Sequence, residues 1–189
     1  MAANATRAAY LFQPDKLHGE RDLGDRSLQC GRRADGFKLW LAWKALGDAG
    51  FEARVDRCFE LAAHAAGAVR RSGGALVLVA PPACTNVCFW VVPPALRPFD
   101  PDTATPEALE ALGRVAPAVK RRMQAAGDAL VGYQPLGPRK PNFFRLVFAD
   151  GRGLSEATLD ALLGRMVACA AALPPEELRP APRPPADGA

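Results

Sequence analysis

A chain of 189 residues with 49% hydrophobic and 23% charged residues can bury one sizeable core, which excludes a disordered polymer and predicts a single soluble globular domain. Its formal charge of +4 is spread over short, scattered clusters, Arg70-Arg71, Lys120-Arg121-Arg122 and Arg139-Lys140; no contiguous basic stripe with interleaved aromatics exists, so no nucleic-acid partner is expected. The five cysteines lack the paired spacing of a disulfide framework, and no apolar run has the length of a signal peptide or a bilayer span, so reduced thiols, a cytoplasmic location and no membrane partner are expected.

Along the chain, Met1 leads directly to the apolar stretch Ala8 to Phe12 without capping or linker composition, the pattern of a chain that begins in mid-domain. From Ala34 to Leu46, Phe37, Leu39, Trp40, Leu41 and Trp43 crowd more than one face of a helix, which predicts a well-buried element stopped by Gly47. A second helix is predicted from Phe51, with Val55, Cys58, Phe59, Ala62 and Ala65 at three- and four-residue steps, to about Arg71, where Ser72-Gly73-Gly74 breaks it. Two β-branched runs, Ala75 to Val79 and Asn86 to Val92, read as strands. The second is apolar on both alternating faces, the mark of a central strand.

Thr105-Pro106 forms a helix start, hydroxyl cap followed by proline, and Pro117 is expected to kink or restart that helix before the stop at Gly127. Ala129 to Gln134 and Asn142 to Phe148 read as an antiparallel hairpin around the turn-rich segment 135–141. A last helix starts at the cap Ser155 and carries Leu159, Leu162, Leu163, Met166, Val167 and Ala170 on one stripe. Residues 174–189 are rich in proline and alanine and are expected to be disordered. The order helix, helix, strand, strand, helix, hairpin, helix predicts an α+β fold with a mostly antiparallel sheet flanked by helices.

Arg145, in the string NFFRLV, shares a strand face with Phe143 and Val147. An obligate cation in an apolar strip is costly unless an anion meets it. Two readings are open: an edge position where the guanidinium reaches water or a structural carboxylate, and a ligand clamp in which it grips a carboxylate in bidentate fashion. Tyr10, in a cluster leading into a Pro-Asp turn and the polar segment His18 to Gly24, suits a lid-like loop. Its phenol stays protonated at neutral pH and can donate a proton, or it can simply pack the loop. His64 lies among alanines as a packing or surface residue, and the role of His18 is open. Cys84 and Cys88 have no second pair of ligands nearby, so no metal site is expected.

Seven strings in fixed order, YLFQPDK (Tyr10 to Lys16), LQCGRR (Leu28 to Arg33), FKLWLAWKALG (Phe37 to Gly47), TNVCFWVVPPALR (Thr85 to Arg97), VAP (Val115 to Pro117), GYQPLG (Gly132 to Gly137) and NFFRLV (Asn142 to Val147), resemble the C-terminal region of the group II pyridoxal-phosphate-dependent decarboxylases, close to glutamate and cysteine sulfinate decarboxylases. The resemblance covers roughly Arg7 to Leu173. It implies the aspartate-aminotransferase-like fold (fold type I), with 1–33 as catalytic-loop-like segment and end of the large domain, and 34–173 as interdomain helices and small C-terminal domain. It also implies pyridoxal 5'-phosphate as cofactor, an acidic amino acid such as glutamate or cysteine sulfinate as substrate, and a homodimer. By carry-over, Arg145 would bind the substrate α-carboxylate, and Tyr10 would deliver the proton to the α-carbon in the neighbouring subunit's site. Cys30, Gly31 and Arg32 would lie near the cofactor phosphate. The family's cofactor-anchoring lysine, in an Asn-Pro-His-Lys context, has no counterpart here, and residues 17–23 depart from the family's loop. The implied product is therefore the C-terminal portion of a carboxy-lyase, inactive by itself and with its cofactor bound mainly by upstream sequence. The alternatives are a non-catalytic module that dimerises with full-length subunits, or an unrelated α+β binding domain.

Overall fold

The computed structural model describes residues 34–137 and 139–179. The chain divides into two compact units, Met1–Phe51 and Glu52–Ala189, where composition predicts one domain. Among the described residues, the buried core begins at Cys58, in the second unit.

In the first unit the described residues are the opening part of helix α1, Asp35–Arg71. The expectation of a well-buried helix is corrected here: Phe37, Leu39, Trp40, Leu41 and Trp43 are 47 to 58% exposed. Their apolar surface is relieved only locally, by stacking of Phe37 on Trp40 at 6.0 Å and of Trp43 on Phe51 at 4.5 Å and by a bond of 2.6 Å from the Trp43 indole N–H to Asp48. Gly47 interrupts the helix at φ 66 and ψ −179, a backbone combination open essentially to glycine. The break predicted from the sequence is present, and the helix resumes within the next residues instead of yielding to a loop.

In the second unit the remainder of α1 buries Cys58, Leu61, Ala62, Ala65, Ala66 and Val69, a stripe at three- and four-residue steps. Val55 and Phe59, predicted on that stripe, are about half exposed instead. The buried line runs through Leu61 and the small residues Ala62, Ala65 and Ala66.

Four short strands, β1 (Leu76–Leu78), β2 (Asn86–Val91), β3 (Gly132–Gln134) and β4 (Phe143–Val147), form one antiparallel sheet in the order β1-β2-β4-β3. β2 is internal, as its two-faced apolar pattern predicts, and β3 with β4 make the expected hairpin. A 3₁₀ turn, Pro94–Leu96, follows β2.

Helix α2, Pro106–Ala125, starts at the Thr105 cap, whose hydroxyl accepts the Ala108 N–H. It continues unbroken through Pro117, so the helix does not restart there. Proline deprives the carbonyl four residues earlier of its donor, and that carbonyl belongs to Gly113. The Asn142 side-chain amide donates to it at 2.8 Å, so the helix continues with its orphan acceptor satisfied. A Cβ on Gly113 would lie 3.2 Å from Pro141, so the glycine also lets the hairpin loop sit close to α2. Helix α3, Glu156–Ala171, opens at the Ser155 cap and buries Leu159, Leu163, Met166 and Ala170 of the predicted stripe, while Leu162 and Val167, at its margins, are half-buried.

The expected disorder of 174–189 is corrected over its first residues. A helical turn, α4 (Pro175–Leu178), buries Leu178, and Glu177 accepts from Arg121 at 3.1 Å and from Arg122 at 2.7 Å. One apolar anchor and one paired carboxylate suffice to dock a proline-started turn that composition alone reads as tail; 180–189 lie outside the described residues.

Candidate functional site

Antiparallel register decides which side chains share a sheet face. Phe89 pairs with Phe144, Val87 with Leu146 and Leu76 with Val91; on that face Phe89, Phe144 and Val87 are fully buried. Lys120 of α2 stands 5.4 Å from the ring centre of Tyr133, the next residue in the Phe89–Phe144 row.

The opposite face has two halves. In one, Trp90 is buried edge-on between Phe99 and Phe143, and its indole N–H donates to the Pro141 carbonyl at 3.1 Å. In the other, Cys88 pairs with Arg145, and Arg145 pairs with Gly132. This row is open: Arg145 and Gly132 are exposed and Cys88 is half-buried. Beside it, Val147 is 55% and Leu130 73% exposed.

The apolar strip foreseen for Arg145 is therefore real only on its Phe143 side, where the ring is 2% exposed. Toward Val147 it is an uncovered apolar surface with a guanidinium standing in it. Among the described residues, no carboxylate lies within ion-pair distance of Arg145. Partial burial pushes the Cys88 thiol above its ordinary range, and the neighbouring Arg145 charge acts in the opposite sense. The thiol contacts Asn86 Oδ1 at 3.8 Å. An always-charged planar donor on an uncovered apolar face can receive a carboxylate while apolar neighbours exclude water from one side.

The second half of this row escaped the sequence reading. By itself the sequence marks Cys88 as an apolar strand residue without partners for a metal site, and Gly132 as part of the string GYQPLG. What links them to Arg145 is strand register, β2 against β4 for Cys88 and the β3–β4 hairpin for Gly132, neither of which is specified by local sequence.

Tyr10, His18, Cys30, Gly31 and Arg32, the other residues singled out, lie outside the described residues. Cys58, Cys84, Cys88 and Cys169 are free thiols, and among the described residues no cluster of metal-ligating side chains occurs. No helix of the described residues is long and apolar enough to cross a membrane. His64 joins two helices, bonded through Nε2 to Asp160 at 2.8 Å with Glu156 at 3.4 Å from Nδ1, the surface and packing role its context suggests. Two clefts of about 550 and about 460 Å³ lie elsewhere, one walled by α2 and the 135–141 loop, the other beside the α4 turn. In the first, Arg114 Nη2 is bonded to Glu110 and Arg139 to the carbonyls of Pro101 and Asp102, while Arg114 Nε is buried without a partner among the described residues.

Of the described lysines, Lys38 pairs with Asp35, while Lys44 and Lys120 stand over the rings of Trp40 and Tyr133. The open row around Arg145 thus fits a carboxylate receptor.

Comparison with known proteins gives this geometry its context. Residues 1–92 match the pyridoxal-dependent decarboxylase conserved domain. The chain is 44% identical to human cysteine sulfinic acid decarboxylase over 164 residues, 86% of this chain and 32% of the relative, and 43% identical to the mouse protein over the same shares. The chain spans about a third of the length of these curated relatives. The structure of mouse CSAD in apo form superposes with a TM-score of 0.68 at 40% identity, covering 85% of this chain and 33% of that one. Oryza sativa TDC with PLP and tryptamine, at 21% identity and a TM-score of 0.59, covers 79% of this chain and 29% of that one and shows the shared fold alone. The α+β architecture is thus that found in fold type I pyridoxal-phosphate decarboxylases, and on the combined sequence and structural likeness this chain belongs to the group II pyridoxal-dependent decarboxylases.

Proposed function

We propose that this chain is the C-terminal portion of a pyridoxal-phosphate-dependent carboxy-lyase acting on an acidic amino acid, glutamate or cysteine sulfinate, in which Arg145 receives the substrate α-carboxylate. The observation that carries the reading is Arg145 itself: an exposed guanidinium on an apolar, uncovered half of the sheet face, with no carboxylate partner among the described residues. A charge so placed is matched to an anion that arrives from outside. The 44% identity to human cysteine sulfinic acid decarboxylase supports the substrate class.

In this reading the chain's own residues bind and orient. Arg145 holds the carboxylate, Phe143 and Val147 flank it with apolar surface, and Asn142 and Trp90 fix the approach to β4 through Gly113 and Pro141. Tyr10 donates the proton that replaces the departing carboxyl group at the α-carbon, and Cys30, Gly31 and Arg32 line the cofactor's phosphate. Pyridoxal 5'-phosphate, bound mainly by sequence outside this chain, supplies the electron sink that makes loss of carbon dioxide feasible. The working enzyme is a cytoplasmic homodimer, and the exposed aromatics Phe37, Trp40 and Trp43 support assembly. This chain alone is inactive, because it carries no counterpart of the family's anchoring lysine.

Two measurements test this. The 189-residue chain given pyridoxal 5'-phosphate and carboxyl-labelled glutamate or cysteine sulfinate is expected to release carbon dioxide no faster than free cofactor. The Arg145 Nε–H resonance is expected to shift on adding either amino acid. Faster release overturns the inactivity; an Arg145 signal indifferent to both acids overturns the carboxylate role.

A further inference from the structure

Glycine inside a strand weakens it, because it forfeits side-chain packing and carries extra backbone entropy, and it is expected only where the backbone or a neighbour demands it. Gly132 meets neither demand. Its φ is not positive, unlike that of Gly127 and Gly137 on either side of it in sequence. A Cβ added to it would find nothing within 4 Å. Elsewhere in the same unit Gly113 admits Pro141 at 3.2 Å and Gly151 admits Arg57, whose side chain a Cβ would meet at 2.6 Å, while Gly164, in helix α3 and not in a strand, also faces open space.

What distinguishes Gly132 is its place in the sheet. It is the direct cross-strand neighbour of Arg145 on β3, as Cys88 is on β2. The guanidinium is thus flanked by a side chain on one flank and by bare backbone on the other, with exposed Val147 and Leu130 nearby.

We propose that Gly132 is a specificity-determining residue: its missing side chain keeps open the lane over β3 through which the substrate's carboxylate, with the α-carbon attached, reaches Arg145. The inference rests on the carboxylate role of Arg145 given above and deepens it. Any side chain at 132 stands on the face of the sheet occupied by the guanidinium and takes the volume that the carboxylate needs. Cys88, on the other flank, is the built-in reporter, because its thiolate is favoured by the Arg145 charge; neutralising that charge with a bound carboxylate disfavours it.

The test uses the full chain, with L-glutamate as probe against chloride at matched ionic strength, and follows iodoacetamide labelling of Cys88 by peptide mass spectrometry. Glutamate is expected to slow labelling about threefold in the wild type, the equivalent of half a unit in thiol pKa, and not at all in Arg145→Ala. Gly132→Val is expected to lose the protection and Gly132→Ala to keep part of it. Both variants should melt at or above the wild-type temperature, since the added side chain meets open space and suits a strand. Protection that persists in Gly132→Val overturns the inference and leaves the Arg145 reading standing. A lowered melting temperature for Gly132→Ala overturns it too, by making the glycine a structural requirement. Absent protection in the wild type, or equal protection in Arg145→Ala, removes the Arg145 reading and this inference with it.

Discussion

The two faces of the four-stranded sheet carry similar residues and have different fates. On one, Phe89, Phe144 and Val87 are sealed at 0% exposure; on the other, the row Cys88, Arg145, Gly132 lies open beside Val147 at 55%. The same alternation in β4 sends Phe144 into the core and Arg145 out of it. A face that is buried contributes to stability, whereas an apolar face left bare around a fixed charge contributes nothing to this chain's stability and is available for recognition.

The largest expected contrast comes from truncating one residue on each face. Phe144→Ala is expected to destabilise the chain by about 3–5 kcal/mol through the cavity it leaves. Val147→Ala should stay within about 0.5 kcal/mol. Denaturant melts of the two compare them directly, and equal losses would break the distinction between the faces. Next in size is Asn142→Ala, which leaves the Gly113 carbonyl, already deprived of its helical donor by Pro117, without its side-chain partner; a cost of about 1–3 kcal/mol is expected. Restoring the helical donor with Pro117→Ala should recover part of that loss in the double variant, and strict additivity would show that the two are not linked.

On the open face, Arg145→Ala is expected to leave stability nearly unchanged and to raise the Cys88 thiol pKa further, since burial alone then acts on it. The rate of Cys88 alkylation near pH 8 should fall, and an unchanged rate would separate the two side chains. The smallest effect is away from the sheet, at the exposed Asp150–Arg152 pair. The Arg152 guanidinium holds the Asp150 carboxyl at about 2, below its ordinary 3.8. A depressed folded value means that any stabilisation is present above 3.8 and is lost as pH falls toward about 2. An Asp150 titration by carbon-detected NMR should therefore move toward the ordinary value in Arg152→Ala, with little change in global stability because the pair is solvated.

Much of this was legible beforehand. The caps Thr105 and Ser155, the central position of β2, the β3–β4 hairpin and the α3 stripe all follow from local pattern, because hydroxyl caps and periodicities of two and 3.6 act within a few residues. The first part of α1 misled for the same reason. Its dense aromatics say that the helix can be buried, while burial needs a partner surface that no local pattern specifies. That the helix does not restart at Pro117 could not be read locally, because the compensating donor, Asn142, comes from 25 residues further along the chain. At the candidate site, Arg145 stood out as a cation among aromatics, and its neighbours did not stand out at all.

What this sequence determines by itself is the set of elements, their order, the resemblance to a decarboxylase family and the presence of one costly cation in an apolar strand. Those properties depend on neighbours in the chain. Which face closes and which stays open, and that Cys88 and Gly132 flank Arg145, were decided by strand register and helix docking. Those contacts join residues 13 to 57 positions apart, and their free energy exists only once the sheet has formed.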